Sequence, residues 1–477
     1  MRDEIKMDKM EEERDRWLAA LDKTELCGFA SSFRNGDQCR IFKPRERGAF
    51  NVCFFVEFDS PRERRVVRIP IPSCVPKSMW DEKTEIELAT MRYVSAKTTI
   101  PIPRIHGYAF SDTGPYGLPC IIMDFVDGRK LMDLGFGKVA SWSSILLDGP
   151  QSSTAKHFHQ QLADVYVQLR QLEFPQIGAL GLPSRDISAM SCNPEDIRVS
   201  NRPLSIDVAQ QEVYGLEPGK AFPPGETVST AKEFVDRLLW LADNKLDKEL
   251  DHQMDENEPA AILYAAHHFK HFVLDEWLDM SANDGPFVLV HGDLDNVMGN
   301  LLFDDDFNLV SVVDWEWSRV VPAQLMVPPV WLLGSQLDFA LLWQDSYNRQ
   351  VRELRAAVQE REKALGLPPI LSTKWEPLES WFHSAVAVGL NYPEAIFEVY
   401  WELIFTISVP KKDHTTKEED DDYRRTEVIP RIKAFIEASE ERRAFMERKI
   451  RDQLQFFEAE KEHYHYKWPR RIVERCI

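Results

Sequence analysis

Apolar and polar positions follow a strand-like pattern between residues 38 and 72, and turn residues divide this stretch at Gly48 and at Asp59-Ser60-Pro61. Short runs between turn signals are typical of neighbouring β-strands. The pattern predicts an antiparallel meander of three strands, over residues 38–42, 51–58 and 65–71. A helix is predicted next over residues 80–96, followed by two more strands over residues 104–110 and 120–125. We therefore expect this stretch to fold into a small α+β lobe.

Beyond residue 128, apolar residues recur at spacings of three and four, which is typical of amphipathic helices. Helices are predicted over residues 156–172, 231–243, 257–278, 332–365 and 375–407. A β-rich insert interrupts them, with strands predicted over residues 287–290, 300–303 and 309–313. The second part of the chain is therefore expected to form a larger, mostly helical lobe.

Both ends of the chain are rich in charge. Residues 1–23 have a helical pattern with few apolar positions, which are Met7, Met10, Trp17 and Leu18. Residues 411–425 are almost wholly polar and predict a loop, and residues 427–463 predict one long, charged helix. These features divide the chain into an N-terminal helical extension, a small lobe, a helical lobe and a C-terminal region, over residues 1–38, 39–127, 128–410 and 411–477.

Composition narrows the classes of partner. The 477 residues include 58 Lys and Arg against 78 Asp and Glu, a net charge of −20. This charge repels a phosphate backbone, so nucleic acid is not expected as a partner, whereas a cationic small molecule would be attracted. No apolar stretch has the roughly 20 residues of a membrane helix, and the charged N-terminus does not resemble a secretory signal. The seven cysteines form no Cys-x-x-Cys pair, which favours a reducing, cytoplasmic location.

The residues that carry chemistry are concentrated between residues 288 and 317. An apolar strand there leads into His291-Gly292-Asp293, a second strand begins at Asn300, and a third delivers Asp314. Two carboxylates and an amide at the ends of adjacent strands would form an oxygen-ligand site, which suits Mg²⁺ rather than zinc. Phosphoryl transfer requires such a set, because one Asp must orient the attacking hydroxyl while an Asn and another Asp hold the metal at the phosphates.

This segment resembles the Brenner motif and the metal-binding aspartate of the aminoglycoside phosphotransferase family, a kinase-like family that includes choline kinases and other small-molecule kinases. The stretch Asp314-Trp-Glu-Trp-Ser-Arg319 is similar to the fungal branch of that family. The resemblance implies a two-lobed, protein-kinase-like α+β fold with ATP and Mg²⁺ as cofactors. It also implies individual roles: Asp293 as catalytic base, Asn300 and Asp314 as metal ligands, and His291 and Glu316 as supporting residues. Glu316 could face the acceptor pocket or pack beneath the loop that carries the metal-binding Asp314.

The catalytic loop departs from the family pattern. The family carries its Asn five residues after the catalytic Asp, whereas Asn300 follows Asp293 by seven residues and Asn296 follows it by three. Asn300 is favoured, because Asn300-Leu-Leu-Phe-Asp304 is similar to the strand that carries the family's Asn. Two residues would then be added within residues 295–298. This longer loop supports an alternative, a catalytically impaired, nucleotide-binding pseudokinase or scaffold protein.

In the small lobe, the resemblance implies a nucleotide site. The turn Gly48-Ala49-Phe50-Asn51 would aim backbone N–H groups at phosphates, although a single Gly is more often only a turn. Arg68 stands where kinase-like folds carry a Lys, with Glu87 as its candidate partner. The alternative for this pair is a cation at a strand edge and a solvated glutamate. The hinge beside the base would be formed by Met123, Asp124, Phe125 and Val126.

These observations predict an ATP-dependent phosphotransferase that moves the γ-phosphoryl group to a hydroxyl of a small molecule. The acceptor would contact the helices within residues 332–405, where the candidate acids are Asp338, Asp345 and Glu402. The insert over residues 184–227 could form a lid or an excursion from the fold. The C-terminal helix offers a surface for a protein partner, and a membrane is not expected as one. A protein kinase is disfavoured, because no stretch resembles the Ala-Pro-Glu segment that supports a peptide substrate.

Overall fold

The computed structural model describes residues 4–59, 62–134, 153–185, 192–248, 258–294, 299–333, 344–379, 381–391 and 422–464. The small lobe contains a sheet of five antiparallel strands in the spatial order β1-β2-β3-β5-β4. These strands are β1 (Cys39–Arg47), β2 (Asn51–Asp59), β3 (Arg62–Pro70), β4 (Ile105–Ala109) and β5 (Cys120–Asp124). The predicted meander and the two later strands are thus confirmed, with β1 extending five residues further than the prediction.

Two helices cover the outer face of this sheet, α1 (Glu4–Ala20) and α2 (Lys23–Ser32). Alternate residues of β2, including Val52, Phe54 and Val56, are buried in one cluster with Leu18 and Leu26 of these helices. Asp22 caps α2 by accepting a hydrogen bond from the Thr24 N–H at 2.8 Å. The sequence pattern predicted the first helix, but the second is short and was not anticipated.

The inner side of the small lobe carries α3 (Trp80–Lys97), as predicted. This helix is buried along most of its length although four of its buried residues are charged, namely Glu82, Lys83, Glu85 and Glu87. Its neighbours include the turn Trp315–Trp317 and the short strand Ala179–Gly181, both in the large lobe. The charged residues of α3 therefore bond to partners from both lobes instead of facing water.

The large lobe is mainly helical. Its described helices are α4 (Ser153–Arg170), α5 (Ile206–Val213), α6 (Ala231–Lys248), α7 (Glu258–Phe272), α8 (Gln344–Ala364), α9 (Ile370–Lys374), α10 (Trp381–Asn391), α11 (Ile429–Glu437) and α12 (Glu440–Tyr464). Their apolar faces meet in one core that also contains four fully buried tryptophans, Trp315, Trp317, Trp331 and Trp375. None of the helices in the described ranges is both long and apolar enough to cross a membrane.

Three small sheets complete the large lobe, with the spatial orders β13-β10-β7, β12-β11-β6 and β8-β9. Their strands are β6 (Arg129–Lys130), β7 (Glu173–Phe174), β8 (Ala179–Gly181), β9 (Arg198–Asn201), β10 (Phe287–Val290), β11 (Leu301–Phe303), β12 (Leu309–Val312) and β13 (Arg319–Pro322). Asp293, Asn300 and Asp314 were predicted at the ends of adjacent strands, and they do lie at strand ends, but β10 does not pair with β11 or β12. The strand before Asp293 pairs with β13 and β7, so it belongs to a different sheet from β11 and β12.

Several predicted helices have different bounds. Within the predicted helix over residues 332–365, residues 332 and 333 belong to a 3₁₀ turn and α8 covers Gln344–Ala364, whereas residues 334–343 lie outside the described ranges. The predicted helix over residues 375–407 is represented by a 3₁₀ turn and α10, and residues 392–407 lie outside the described ranges. The predicted C-terminal helix is broken between α11 and α12 at Ala438-Ser439, because the Ser439 hydroxyl caps the new helix. Residues 422–425 are helical rather than loop, and residues 411–421 are not described.

Part of the insert over residues 184–227 contacts the small lobe through Arg185 and Arg202, while α5 bonds to α6 of the large lobe. Strand β9 and helix α5 belong to it, and Ser205 caps α5 by accepting from the Val208 N–H at 3.2 Å. Arg202, which follows β9, forms two hydrogen bonds with Glu82 of α3, at 2.9 and 2.8 Å. This part of the insert is therefore a fixed support for α3, and neither a lid nor an excursion.

Candidate active site

The segment His291-Gly292-Asp293 leaves β10 and enters the junction between two sheets. The buried His291 donates from Nε2 to the Val313 carbonyl at 2.9 Å and accepts at Nδ1 from the Asp293 N–H at 3.4 Å. Burial lowers the pKa of His291 to about 4, so the ring is neutral at pH 7. Gly292 has a φ of +82°, and a Cβ there would lie 1.9 Å from the Trp317 carbonyl oxygen. This position therefore requires glycine.

Asn300, directly before β11, holds Asp293. Its Nδ2 donates to the Asp293 carbonyl at 2.6 Å and to Oδ2 of the same residue at 3.2 Å. The Asn300 carbonyl accepts in turn from the Val313 N–H at 3.0 Å, which ties the start of β11 to the residue before Asp314. The structure thus brings Asp293, Asn300 and Asp314 together. Asn296 and the rest of the lengthened segment 295–298 lie outside the described residues.

Asp314 adopts the left-handed conformation, with φ 71° and ψ 53°, at the start of the 3₁₀ turn Trp315–Trp317. Aspartate tolerates this conformation better than most side chains, although it remains uncommon. The turn directs the Asp314 carboxylate to the small lobe, where it accepts a short charge-assisted hydrogen bond from Arg68. Burial raises the pKa of Asp314, and Arg68 opposes that shift.

Arg68 lies on the inner face of β3, opposite Cys53 of β2 and Ile121 of β5, and is only 8% exposed. Besides Asp314 it contacts Glu316 at 2.9 Å and Glu87 at 3.6 Å. Arg68 and Glu87, the predicted pair, are therefore both buried and lie next to each other. This contradicts the alternative of a cation at a strand edge and a solvated glutamate. Among the described residues, Arg68 Nε and Glu87 Oε1 have no hydrogen-bond partner. These two atoms face each other as an ion pair at 3.6 Å, which is longer than a hydrogen bond.

The charges of this cluster do not balance within the described residues. Arg68 and Lys83 supply two cations, whereas Asp314, Glu316 and Glu87 supply three carboxyl groups. Burial raises the pKa of Glu87 to about 7, against the attraction of Arg68. For Glu316, burial would raise the pKa, but Lys83 and Arg68 together lower it to about 2. Glu316 is therefore the firmly ionised partner of the cations, whereas burial favours the protonated form of Glu87.

Glu316 points into the small lobe. Of its two predicted roles, the geometry therefore favours packing beneath the loop that carries Asp314, and not contact with an acceptor pocket. Its Oε2 accepts from Asn51 Nδ2 at 2.7 Å and from Lys83. Asn51 closes the turn 48–51, in which the Gly48 N–H donates to the Asn51 carbonyl at 2.9 Å. Phe50 of that turn packs edge-on against Trp317, with ring centroids 5.0 Å apart. Sequence reasoning missed Lys83, because its partners lie 32 and 233 positions away in the chain.

The predicted hinge residues lie at the end of β5. Met123 pairs with Val66 of β3 and is nearly buried, and the Phe125 N–H donates to the Arg64 carbonyl at 3.2 Å. Asp124 accepts from the Arg104 N–H at 3.2 Å and from His106 at 2.5 Å, so its carboxylate serves to fix the strand end. Val126 is half-buried at the exit from the strand, whereas Gly48 and Ala49 of the turn are exposed.

Comparison with known families identifies this arrangement. A model of the APH family, described as the phosphotransferase enzyme family, matches residues 41–324. The chain belongs to this family. The APH match includes the candidate site residues of both lobes, from Gly48 to Glu316, and it ends before α8. APH membership also accounts for the two-lobed, kinase-like α+β fold.

Curated relatives match only a segment of this APH protein. A subtelomeric hrmA-associated cluster protein of Aspergillus fumigatus is 27% identical over 144 residues, which are 30% of this chain and 25% of the relative. The mitochondrial protein "altered inheritance of mitochondria protein 9" of Candida glabrata is 22% identical over 128 residues, or 24% and 19% of the two chains. The chain thus matches a quarter or less of the length of these relatives, and its place in a fungal branch stays a prediction.

Solved structures that are similar to this chain include an aminoglycoside phosphotransferase and an ethanolamine kinase. The aminoglycoside phosphotransferase APH(4)-Ia is 14% identical with a TM-score of 0.42, and the match covers 82% of this chain and all of that one, 100%. An ethanolamine kinase of Plasmodium vivax is 12% identical with a TM-score of 0.32, covering 85% and 87% of the two chains.

Proposed function

We propose that this APH-family phosphotransferase uses ATP and transfers its γ-phosphoryl group to a hydroxyl of a small molecule. In this reaction the hydroxyl oxygen bonds to the γ-phosphorus while the bond from that phosphorus to the β–γ bridging oxygen breaks and ADP leaves. The observation that carries the proposal is the junction of the lobes, where the Asn300 amide binds Asp293 and Arg68 binds Asp314. One site thus combines a base, an amide, a second carboxylate and a buried cation.

Asp293 is the proposed catalytic base. Its carboxylate would accept the proton that the hydroxyl loses as the new bond forms. The Asn300 amide donates to Oδ2 of that carboxylate, and the neutral His291 fixes the backbone on its other side. These contacts hold Asp293 in one orientation before the acceptor binds, which is the arrangement that proximity and orientation effects require.

The donor set is compatible with Mg²⁺. Asn300 and Asp314 would hold the ion through oxygen atoms, the ligands that Mg²⁺ prefers. The described residues contain no cluster of three or more His, Cys, Asp or Glu suited to a metal, so phosphate oxygens and waters would complete the coordination. The third carboxyl group beside Arg68 and Lys83 supports the addition of positive charge at this place. A bound Mg²⁺ would neutralise the charge that develops on the phosphates.

The inner face of the sheet supports nucleotide binding. Val66, Phe55 and Met123 are cross-strand partners, and Arg68 and Cys53 form the next pair on the same face. An apolar surface thus lies beside a buried guanidinium, which suits a planar base followed by phosphates. The rings of Phe42 and Phe125 extend this surface, with centroids 5.2 Å apart. The turn 48–51 would contribute backbone N–H groups to the phosphates, and residues 123–126 would line the base.

The acceptor is proposed as a small hydroxyl compound, and the net charge of −20 favours a cationic one. Of the three candidate acids, Asp345 is exposed in the first turn of α8, and Asp338 and Glu402 lie outside the described residues. A cytoplasmic location remains part of this proposal.

The alternative, a nucleotide-binding scaffold without catalysis, draws support from one contact. Arg68 pairs with Oδ1 of Asp314, so it competes with a metal for this carboxylate. If Arg68 cannot be displaced, nucleotide would bind without Mg²⁺ and no transfer would follow. The dependence of binding on Mg²⁺ therefore separates the two functions.

The test begins with thermal unfolding of the full chain with ATP or ADP, with and without Mg²⁺, because a ligand of the native state raises the melting temperature. Phosphorylation of amino-alcohols and aminoglycosides is then measured for the wild type and for Asp293→Asn. We expect a Mg²⁺-dependent shift in both proteins and a loss of transfer of at least about 10³-fold in the variant.

Asp305→Asn is the matched control, since this Asp lies in the turn after β11 with its side chain 84% exposed. It should retain both properties. Transfer that survives in Asp293→Asn would exclude Asp293 as the base. A shift that is independent of Mg²⁺, without transfer to any acceptor, would favour the scaffold.

A further inference from the structure

Three elements that are far apart in the chain meet at one carboxylate oxygen. Oε2 of Glu316, which is 1% exposed, accepts from Asn51 Nδ2 at 2.7 Å and from Lys83, and it forms an ion pair with Arg68 at 2.9 Å. Asn51 belongs to the turn 48–51, Lys83 to α3 and Glu316 to the loop that carries Asp314. A carboxylate with three donors from separate elements is fixed in position, and it fixes its donors in return.

Lys83 completes this network from the helix side. Its Nζ donates to Asn51 Oδ1 at 2.9 Å and to Glu316, and it lies 5.6 Å from the centre of the Trp317 ring. The side chain is 2% exposed, so the ammonium group is removed from water and surrounded by these partners. A buried lysine in such surroundings serves its partners rather than solvent.

The turn 48–51 is consequently attached to the loop that carries Asp314 by two contacts, and to α3 and the end of β3 by two more. Its Asn51 side chain bonds Glu316 and Lys83, its Phe50 ring contacts Trp317, and its Phe50 carbonyl accepts from the Ile71 N–H at 2.8 Å. A turn that carries only one glycine, at position 48, has little backbone freedom to adapt when ligand arrives. Its orientation must therefore be set in advance by these contacts.

We infer that Lys83, Glu316 and Asn51 form a positioning network that presets the turn 48–51 over the nucleotide phosphates and gives Arg68 a second carboxylate partner. The inference rests on the proposed function for its ligand but not for its structural part. Arg68 can leave Asp314 for phosphate while Glu316 retains it within the site. None of the three residues acts on the acceptor; each acts through the turn or through Arg68.

The test is Lys83→Met in the full chain, with two readouts. Hydrogen exchange of the amides in residues 48–53 is measured by mass spectrometry without nucleotide, and the affinity for Mg²⁺ and ADP by calorimetry. We expect exchange in that segment to rise about tenfold and affinity to fall about tenfold, with little change in the rest of the sheet. Lys97→Met is the control, because Lys97 lies on the same helix and pairs with the exposed Glu195.

The inference is overturned if exchange in residues 48–53 matches that of the Lys97→Met control, or if it rises equally over the whole small lobe. Should Lys83→Met fail to fold, Asn51→Ala removes only an amide from the same network and is judged by the same two outcomes. If the wild type binds no Mg²⁺ and ADP, the proposed function fails, but the exchange experiment still decides whether the network holds the turn.

Discussion

Helix α3 carries buried charged residues on two sides, and the two sides differ in how fully these charges are paired. On one side, Glu82 receives two hydrogen bonds from Arg202, and Glu85 receives one from Arg185 at 2.7 Å and one from the Leu182 N–H at 3.1 Å. On the other side, Lys83 and Glu87 join the cluster around Arg68, where three carboxyl groups share two cations and Glu87 Oε1 meets Arg68 Nε at 3.6 Å, without a hydrogen bond among the described residues. One helix therefore presents a satisfied interface and an unsatisfied one.

This difference suggests that one side of α3 holds the helix in place and the other side takes part in ligand binding. A buried ion pair with all its hydrogen bonds made has nothing to gain from a ligand, so the side with Glu82 serves to hold the helix. A buried cluster with surplus charge has a free-energy cost in the empty protein that an added cation would relieve. The side with Glu87 is thus the one prepared for binding.

The largest expected effect is on the satisfied side. Arg202→Met leaves Glu82 as a buried, unpaired carboxylate, and such a loss typically costs about 3–5 kcal/mol in the free energy of unfolding. Chemical denaturation followed by circular dichroism measures it. The double variant Arg202→Met/Glu82→Met should regain most of that loss, because neither charge then remains buried. A single variant as stable as the wild type would mean that the pair contributes nothing to holding α3.

A smaller effect of opposite sign is expected for Glu87→Gln. The Glu87 carboxyl keeps its proton up to a pKa of about 7 in the folded chain, whereas its ordinary pKa is 4.5. Between these values the folded protein binds more protons than the unfolded one, so this group makes stability fall as the pH rises through that window. The variant should lack this decline and exceed the wild type above pH 7, by at most about 3 kcal/mol.

Denaturation midpoints of both proteins at pH 5 and pH 8 test this, with Glu85→Gln as the matched change on the other side of the helix. Glu85 is paired with Arg185, so its variant should be no more stable than the wild type at either pH. A Glu87→Gln protein that loses stability at pH 8 would show that Glu87 anchors Arg68 as firmly as Glu82 anchors Arg202.

The smallest effect is expected for Arg185→Met. The Arg185 side chain is 52% exposed, and Glu85 keeps its bond from the Leu182 N–H when the guanidinium is removed. Partly exposed ion pairs contribute about 0.5–1 kcal/mol, so the denaturation midpoint should shift only slightly. A loss as large as that of Arg202→Met would mean that exposure is a poor guide to the strength of this interface.

Local patterns predicted much of the small lobe and of the site. The strand alternation before Ile71 and the helix over residues 80–96 depend on neighbours in the chain, and both were confirmed closely. The roles of Asp293, Asn300 and Asp314 depended on a contiguous motif, and the structure brings these residues together although two sheets supply them. Their functional roles stay predictions.

Features that depend on distant partners could not be predicted. Lys83 has the same local surroundings as a solvated lysine on a charged helix, and only Glu316 and Asn51 make it part of the site. Arg202 lies in a stretch rich in Pro, Ser and Asn, and its pairing with Glu82 spans 120 positions. The break at Ser439 was missed because a capping serine has no local difference from a polar residue within a helix.

The pair between Arg202 and Glu82 also affects how the chain unfolds. The pair joins the helix of one lobe to the insert of the other, and both side chains are buried. A fragment limited to residues 39–127 would leave the acidic side of α3 without partners. The boundary near residue 127 therefore separates two lobes, but we expect these lobes to unfold together. Calorimetry should record a single transition shared by the two lobes in place of two separate ones.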